Sequence, residues 1–327
     1  MRPAVGFGLL VLSWLAVAAP ATNSRLDRVV FSGTDYVRLD QWASRNGFKN
    51  GAPTHSREVR FTNSGTTLVF ETDSQKILIN GITVYLSSPI GVRNGVPYIA
   101  PIDLASTLEP VLFPTRQERS NALICLDAGH GGKDPGHLGG KEKEKKYTLL
   151  LARELGDQLR KAGFKVCYTR TKDTFLELPA RAELAQKRGA DLFVSLHFNS
   201  WEGSGPDTAK GAEVYCMTPA RTSSTNAKGE GSDSGSYAGN RFDAKNVLLA
   251  YNVQKSIIAR LGSEDRGVKR ARYAVLRMAE MPAILIESGF LSNPAESKRI
   301  YDPQFRQQLA QAIVHGIKAY DRAVYRD

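Results

Sequence analysis

The 327-residue sequence contains little cysteine and histidine, with three and five residues respectively. No two cysteines have the C-x-x-C spacing of a cysteine-based metal site, and an odd count gives no complete disulfide framework. Each cysteine lies in an apolar, strand-like run. We therefore expect Cys125, Cys167 and Cys216 to be small buried hydrophobic side chains. The sequence also lacks a local His-Glu-x-x-His motif, so any metal site must be assembled from distant segments.

The chain has no arginine-rich arm and no basic stripe interleaved with aromatic residues. Its net charge of +11 favours anionic partners in general, such as nucleic acid, acidic lipid or an acidic cell-wall polymer. Without the basic arm or stripe, nucleic acid is the weaker interpretation, and we expect no nucleic-acid partner. A hydrophobic content of 42% is ordinary for a globular protein, and the length leaves room for about two domains.

Residues 1–21 are typical of a secretory signal peptide. Arg2 precedes an apolar run from Val5 to Ala19, and small residues with A-x-A spacing follow. The run is short for a bilayer span, although an uncleaved anchor is an alternative. No cysteine precedes Cys125, which excludes a lipoprotein anchor at the cleavage point. We expect an exported protein, periplasmic or extracellular at the cell wall, with no stable membrane insertion after cleavage.

Residues 25–113 are predicted to form a small α+β domain. A short helix is expected over 36–47 and a second over 101–108, with alternating strand-like segments between them. Asn80-Gly81 and Asn94-Gly95, each flanked by apolar alternation, predict two tight hairpins. The polar segment 114–121 is predicted to be a linker to the next domain.

This first unit loosely resembles the N-terminal domain of copper amine oxidases, which also occurs as an accessory module of exported bacterial proteins. The resemblance rests on Tyr-Val-x-Leu at 36–39, Ile-Asn-Gly-x-x-Val-x-Leu at 79–86 and Asn-Gly-x-x-Tyr-Ile-x-Pro at 94–101. It implies no copper. A role in wall binding or positioning and a role as a spacer are both open.

From residue 122 to 327 the pattern changes to strands that alternate with helices, which indicates an α/β domain with a central, mostly parallel sheet flanked by helices. Strands are predicted at 122–127, 164–169, 191–197, 212–217, 273–277 and 283–287, and helices at 145–162, 178–188, 244–261 and 303–323. Residues 218–243 form a loop dense in Ser, Gly, Thr and Asn, typical of a lid, a binding loop or disorder.

Three predicted strands end in residues that bind metals or transfer protons. The first runs into a glycine loop that carries His130, another ends at His197, and the last ends at Glu287. Parallel strands bring their carboxyl ends to one edge of the sheet, where open α/β folds keep their sites. Two histidines and one carboxylate are a common ligand set of catalytic zinc, and a further carboxylate would serve as general base. A glutamate of the lysine-rich run, Glu142 or Glu144, would complete the ligands, leaving Glu287 as the base.

Each of these residues also has a structural interpretation. Glu142 and Glu144 lie in a charged run that is typical of a solvated surface, and His197 could be a core histidine with satisfied hydrogen bonds. Glu287 could instead pair with Arg181 or Arg277. His137, in the same glycine loop, could be a substitute ligand or a residue of the cleft wall.

At these residues the chain resembles zinc-dependent N-acetylmuramoyl-L-alanine amidases, over residues 122–323. Four motifs carry the resemblance: Asp-Ala-Gly-His-Gly-Gly-Lys-Asp-Pro-Gly at 127–136, Glu-Lys-x-x-x-Leu at 144–149, Ser-Leu-His-Phe-Asn at 195–199 and Glu-Ser-Gly-Phe-Leu-Ser-Asn at 287–293. The segment 266–276 also fits. The family often has a small residue where His137 stands, and the stretch 137–143 is slightly short.

The resemblance implies an enzyme that cleaves the amide between N-acetylmuramic acid and L-alanine of the peptidoglycan stem peptide. It implies Zn²⁺ held by His130, His197 and Glu144, because the family's glutamate ligand lies eight residues before an alanine, here Ala152; Glu142 is the fallback. Glu287 would be the catalytic base. Substrate-binding residues are not established, and weak candidates are Asn199, Ser195 and His137.

Two alternatives remain open at this point. One is a zinc peptidase that cuts within the stem peptide, and the other is a non-catalytic protein that binds the cell wall through the same scaffold. Peptidoglycan is the expected partner in every case. The residues identify no protein activator.

Overall fold

The protein's structure, a computed structural model, describes residues 25–118, 122–139, 141–201, 203, 205, 208–225 and 235–325. The predicted signal peptide, residues 1–21, lies outside the described residues. Parts of the predicted linker (119–121) and of the 218–243 loop (226–234) also lie outside them. In the described part of the chain, no helix is both long and apolar enough to cross a membrane.

The N-terminal unit consists of short strands and short helices. Its strands are β1 (Arg28–Phe31), β2 (Thr34–Arg38), β3 (Lys49–Asn50), β4 (Glu58–Thr62), β5 (Thr67–Glu71), β6 (Lys76–Ile79), β7 (Ile82–Tyr85), β8 (Gly91–Arg93) and β9 (Val96–Ile99); its helices are α1 (Leu39–Arg45), α2 (Pro101–Asp103) and α3 (Glu109–Leu112), the last two joined by a π-helical turn. Strands β1, β2, β9 and β8 form a separate sheet, whereas β3 to β7 form an antiparallel meander. Both predicted Asn-Gly hairpins are confirmed, since Asn80, Gly81, Asn94 and Gly95 all have positive φ.

The C-terminal unit is an α/β sheet with helices on both faces, so the predicted fold class is confirmed. Its strands are β10 (Leu123–Ala128), β11 (Leu138–Gly139), β12 (Glu142–Lys143), β13 (Lys165–Tyr168), β14 (Leu192–Asn199), β15 (Ala212–Met217), β16 (Asp265–Ala271) and β17 (Ala283–Phe290); its helices are α4 (Glu144–Lys161), α5 (Leu178–Lys187), α6 (Asp243–Leu261), α7 (Ala274–Arg277), α8 (Pro294–Tyr301) and α9 (Pro303–Val324). The strand order is β13-β10-β14-β17-β15-β16, and only the β15–β17 pair is antiparallel among these neighbours.

The apolar strands are buried on both faces because helices cover both. Along β10, Ile124 and Leu126 pack into the core beneath α4, α6 and α9, whereas Cys125 faces a second core beneath α5 and α7. Burial of each such side chain stabilises the fold by roughly 1.5–3 kcal/mol. Cys125 and Cys216 are buried, and Cys167 is partly buried; all three are free thiols.

The two units share one sheet. The N-terminal meander continues the C-terminal sheet through β7, whose Val84 pairs in parallel with Val268 of β16, and the combined sheet has eleven strands. The carboxylate of Asp265 accepts a hydrogen bond from the backbone N–H of Thr83 at 2.7 Å. The fully buried guanidinium of Arg270 donates to the Ser106 carbonyl and the Thr107 hydroxyl, both at 2.8 Å. A continuous hydrogen-bonded sheet therefore joins the units, with buried polar contacts beside it.

Several sequence predictions of single elements are wrong. Residues 274–277 form helix α7 rather than a strand, and the strand of this region is β16, which precedes them and was not predicted. A four-residue apolar run suits a strand or a buried helix equally well, and periodicity cannot separate the two. The predicted helix over 36–47 begins as strand β2. Helix α8 and the small β11–β12 hairpin were not predicted.

Candidate metal centre

Three parallel strands bring the predicted residues to one edge of the sheet. Strand β14 lies between β10 and β17, and His197 is directly opposite Glu287 in the β14–β17 register. The loop that carries His130 follows β10 and therefore leaves the sheet at the same edge. Helix α4 begins with Glu144 at its first residue, where the helix dipole favours a carboxylate.

The loop after β10 is held in shape by two buried arginines. Arg170 and Arg181 are 3% and 2% exposed, and both donate to the carbonyl of Ala128 at 2.9 Å. Arg181 also donates to the carbonyl of His130 at 2.9 Å and pairs with the buried Asp127. His130 has a φ of 61°, a left-handed conformation that is costly for a residue other than glycine. The arginine hydrogen bonds therefore hold the imidazole in a position that the backbone alone disfavours.

His130, Glu144 and His197 form one compact cluster. Nε2 of His130 lies 3.0 Å from Oε2 of Glu144, and Nδ1 of His197 lies 3.2 Å from Oε1 of the same carboxylate. One ligand atom from each residue lies within 4.8 Å of the others. Metal–ligand bonds of about 2.0–2.2 Å place neighbouring ligand atoms of a tetrahedral zinc site roughly 3.3 Å apart, so one ion fits the cluster. Among the described residues, no other group of histidine, cysteine and acidic side chains meets the same criterion.

The side chains of the cluster approach two glycines closely. A Cβ on Gly129 would lie 2.3 Å from Cε1 of His197, and a Cβ on Gly136 would lie 2.6 Å from Oε2 of Glu144. Gly136 also has a φ of 65°. No side chain larger than hydrogen fits at either position, so these glycines are required by the cluster itself.

Hydrogen bonds orient the ligand atoms from behind. Asp134 Oδ2 lies 2.8 Å from Nδ1 of His130, which leaves Nε2 to face Glu144. Such a carboxylate partner fixes the tautomer and orientation of a metal-binding histidine. The backbone N–H groups of His137 and Phe198 donate to the two oxygens of Glu144 at 3.0 and 3.1 Å. This arrangement matches the surroundings of metal ligands in general, and Asp134 was not singled out from the sequence.

The electrostatics of the cluster favour an ionised carboxylate. Burial alone would raise the pKa of Glu144, but hydrogen bonds from His130 and His197 outweigh it and lower that pKa. Burial would lower the pKa of His130, yet its contacts with Glu144 and Asp134 raise it. The carboxylate is therefore charged at neutral pH and is in the state that a metal ion requires.

Glu287 lies beside the cluster without a hydrogen-bond partner. Its Oε2 atom is buried and accepts no hydrogen bond from any described residue. Burial, followed by the negative charges of Glu144 and Glu213, raises the pKa of this carboxyl well above its usual value. Neither suggested ion pair forms, because Arg181 is bound to Asp127 and Arg277 stacks on Tyr237. A buried, unpartnered carboxyl is rare and indicates a functional group.

A cavity of about 320 Å³ joins these groups to solvent. His130, Glu144, His197 and Glu287 line it, together with Leu178, Val275 and Leu285 as apolar wall residues. The combination of apolar walls and a few convergent polar groups is typical of a ligand site.

The other residues singled out from the sequence have different surroundings. Glu142 contacts Lys146 and Tyr147 and lies outside the cluster. Ser195 is fully buried and donates to Asp127, so it supports the ligand loop from below. His137 contributes its backbone N–H to Glu144. Asn199 lines the cavity and donates to Glu213 at 2.8 Å.

The fold and this site define an α/β protein with a His-Glu-His cluster and a neighbouring carboxyl at the carboxyl edge of its parallel strands. The profile of the N-acetylmuramoyl-L-alanine amidase family, Amidase_3, matches residues 124–319, which is more than half of the chain, and the chain belongs to this family. The resemblance inferred from the sequence motifs is thereby confirmed for the C-terminal unit.

Among curated relatives, the amidase AmiC of Neisseria meningitidis serogroup B is 34% identical over 241 residues, which cover 67% of this chain and 57% of that protein. The uncharacterised protein YqiI of Bacillus subtilis is 32% identical over 217 residues, covering 66% of this chain and 93% of YqiI. The chain thus spans little more than half the length of the Neisseria relative.

Two solved structures match a large part of the fold. The amidase of Clostridium difficile 630 has a TM-score of 0.50 at 35% identity, and AmiC2 of Nostoc punctiforme has a TM-score of 0.51 at 31% identity. Each match covers 62% of this chain and 97% of the solved chain. A share of this size leaves more than a third of the chain outside the matches.

Proposed function

We propose that this protein is an exported, zinc-dependent N-acetylmuramoyl-L-alanine amidase that cleaves the amide between N-acetylmuramic acid and the L-alanine of the stem peptide. One observation carries the proposal: the unpartnered carboxyl of Glu287 lies beside the compact His130–Glu144–His197 cluster. The family membership and the names of the relatives support the choice of substrate. The chain's basic charge suits an anionic cell-wall polymer.

In this proposal His130, Glu144 and His197 hold Zn²⁺, because two imidazoles and one carboxylate form a common zinc ligand set. A zinc ion bound there would act as a Lewis acid toward the amide carbonyl and would make water more acidic. Asp134 keeps Nδ1 of His130 engaged, and Arg170 and Arg181 hold the loop in place. The protein thereby supplies a preorganised set of ligands.

Glu287 acts as the general base. Its carboxylate accepts a proton from the attacking water and passes that proton to the departing amine nitrogen of L-alanine. A raised pKa makes the carboxylate a stronger base, and the absence of an arginine partner leaves its oxygen available. Leu178 and Val275 supply apolar wall surface in the same cavity.

The remaining assignments concern the rest of the chain. Residues 1–21 would direct export to the periplasm or the cell wall and then be removed. The N-terminal unit, residues 25–113, would position the catalytic unit, residues 122–327, on the wall, and the resemblance to the copper amine oxidase N-terminal domain stays a prediction. The shared sheet argues for a fixed rather than a flexible arrangement, because β7 and β16 are paired directly.

Product analysis tests the proposal. Purified peptidoglycan is digested with the protein, with and without a metal chelator, and the products are identified by mass spectrometry. An amidase releases intact stem peptides that begin with L-alanine, and only when the chelator is absent. Shorter peptides that lack the L-alanine terminus would instead indicate a peptidase acting within the stem. Binding to the wall without any product would indicate a non-catalytic protein.

A matched pair of histidine variants tests the metal site. His130→Ala removes one proposed ligand, so we expect bound zinc to fall from about one per chain to nearly none, with loss of hydrolysis. His315→Ala serves as the control, since His315 is exposed on α9, which carries none of the cluster residues. Full zinc content in His130→Ala, measured by elemental analysis, would contradict the ligand assignment.

A further inference from the structure

A second cavity lies next to the metal centre, and two cationic side chains are part of its lining. It has a volume of about 510 Å³ and shares Asn199 and Ser200 with the cavity at the metal centre. Arg266 and Lys269 of β16 line it, as do the partly exposed Trp201 and the ring of Phe290. The proposed metal ligands are absent from its lining.

The two cations are held by one buried carboxylate. Glu213 is 2% exposed, and its Oε2 accepts from Nε of Arg266 at 2.9 Å and from Nζ of Lys269 at 2.6 Å. Its Oε1 accepts from Asn199 and from the hydroxyl of Tyr215, both at 2.8 Å. One negative charge thus faces two positive charges, which leaves a local excess of one positive charge at the cavity wall.

Both cations keep donors for a ligand. Within the described residues, Arg266 makes no hydrogen bond beyond that to Glu213, so its two terminal NH₂ groups have no protein acceptor there. The guanidinium lies 4.7 Å from the centroid of the Phe290 ring, which fixes its plane. The side chains of Arg266 and Lys269 are 26% and 17% exposed, so they are partly shielded from solvent. An oriented arginine fork of this kind suits a carboxylate or a phosphate.

The position of this cavity relative to the proposed reaction decides what enters it. Asn199 follows His197 by two residues on β14, a distance of roughly 7 Å along a strand. Glu213 is directly opposite Glu287 in the β15–β17 register. A peptide advances at most about 3.3–3.6 Å per residue, so a group two residues beyond the cleaved amide can lie about 7 Å from it, which is comparable to the spacing of His197 and Asn199 along β14.

We propose that Arg266 and Lys269 form an anion subsite that binds a carboxylate of the stem peptide just beyond the L-alanine. The inference rests on the proposed amidase function. The acyl side of the cleaved bond is a neutral lactyl sugar, whereas the amine side continues into a peptide that carries free carboxylates. The positive cavity therefore receives the peptide side. Asn199 connects the subsite to the strand of His197 through its hydrogen bond to Glu213.

Two synthetic substrates test this assignment. Both are muramyl peptides without phosphate, and they differ only at the residue after L-alanine, which carries either a free α-carboxylate or the corresponding carboxamide. For the unmodified protein we expect kcat/KM to be roughly tenfold higher with the carboxylate, mainly through a lower KM, because a charge-assisted hydrogen bond is lost with the amide. The preference should shrink as salt is raised.

Three variants make the test specific. Arg266→Gln should lower kcat/KM for the carboxylate substrate roughly tenfold and leave the carboxamide within twofold, so the preference disappears. Arg266→Lys retains the charge and should retain most of the preference. Lys210→Gln removes an exposed cation that lies outside the cavity lining, and it should behave as the unmodified protein. Thermal unfolding of each variant confirms that it is folded.

The outcomes separate the subsite from the proposed function. Hydrolysis of both substrates with no preference overturns the subsite and leaves the amidase function standing. An equal loss on both substrates in Arg266→Gln also overturns it, because the residue would then act structurally. If the subsite instead bound a phosphate group of a wall polymer, these phosphate-free substrates would be hydrolysed without preference, and the proposed carboxylate subsite would be overturned. Failure to hydrolyse either substrate would count against the amidase function itself.

Discussion

The N-terminal and C-terminal units share one sheet, yet the buried carboxyl groups in them differ in their hydrogen-bond partners. In the N-terminal unit Asp103 is fully buried, and its two oxygens accept from the backbone N–H groups of Ser87 and Ser88 at 2.6 and 3.0 Å. In the C-terminal unit the buried Oε2 of Glu287 has no partner among the described residues. Both groups have raised pKa values because of burial.

The difference separates a structural carboxyl from a reactive one. The backbone donors Ser87 and Ser88 occupy both oxygens of Asp103, so this carboxyl fastens the loop between β7 and β8 to α2. Glu287 keeps a free oxygen on a cavity beside the His130–Glu144–His197 cluster. Burial alone therefore does not identify a functional carboxyl; a missing partner together with an accessible cavity does.

The largest expected effect is that of Glu287→Gln. The amide keeps the shape of the side chain but cannot accept the proton, so we expect kcat to fall about 10³-fold while zinc remains bound. Kinetics on muramyl peptide and elemental analysis measure the two quantities. Glu280→Gln, at an exposed carboxylate, is the control. If Glu287→Gln retained more than a tenth of the activity, Glu287 would not be the base.

The next effect concerns Asp103 and pH. Burial raises the pKa of Asp103 from 3.8 to about 6, so between these values the folded state binds a proton that the unfolded state has lost. Its contribution to stability is complete below pH 4 and is lost as pH rises through 6. By 1.36 kcal/mol per unit, this amounts to about 3 kcal/mol.

Denaturant titrations of the unmodified protein and of Asp103→Asn measure this effect. The difference in unfolding free energy between them should shift by up to about 3 kcal/mol in favour of the variant between pH 4 and pH 7. The change of this difference with pH isolates Asp103. The other titrating groups contribute equally to both proteins, and the hydrogen bonds altered by the amide add an offset that does not change with pH. Parallel pH profiles would show that Asp103 is ionised in the folded state throughout.

A smaller effect is expected at the junction of the two units. Asp265 accepts from the backbone N–H of Thr83, from Gln254 and from the backbone N–H of Gly267. Asp265→Ala leaves these donors without that acceptor and should lower the free energy of unfolding by about 2 kcal/mol. Glu264→Ala, at the exposed neighbouring carboxylate, should cost far less. Equal stability of both variants would mean that Asp265 does not hold the units together.

The smallest effect is expected for Asp134→Asn. The amide preserves the size of the side chain but weakens the contact with Nδ1 of His130, so we expect zinc affinity to fall roughly tenfold. Competition with a chromogenic chelator measures the affinity. Asp157→Asn, on the exposed side of α4, provides the comparison. Unchanged affinity in Asp134→Asn would assign Asp134 to loop structure alone.

The strand ends were predictable because alternation of apolar strands with helices specifies a parallel sheet, and each strand ended in a distinctive residue. His130, His197 and Glu287 were placed correctly at one edge for this reason. Asp134, Arg170 and Glu213 were not, because their contacts depend on the exact shape of the glycine loop or on segments far apart in the chain, as between Glu213 of β15 and Lys269 of β16, which are 56 residues apart. Glu213 carried only one cue, which was a carboxylate inside an apolar strand.

The contacts that join the two units could not be predicted from the sequence either. The polar segment 114–121 stays a predicted linker, and the sequence did not reveal that Gln117 within it pairs with Tyr325. The pairing of β7 with β16 joins residues about 180 positions apart, and no local pattern encodes it. The hairpin pattern predicts that β7 pairs with β6 on one side, but it does not predict the partner of β7 on the other side.

By itself, the sequence determined the α/β class, the edge of the sheet at which the candidate site lies and the residue types available there, because these follow from local periodicity and chain order. Only the tertiary structure decided that Glu287 lacks an arginine partner among the described residues, and that Arg266 and Lys269 face a cavity beside it. These features depend on distances between side chains from separate elements. Such distances arise only when the whole sheet and its covering helices are packed.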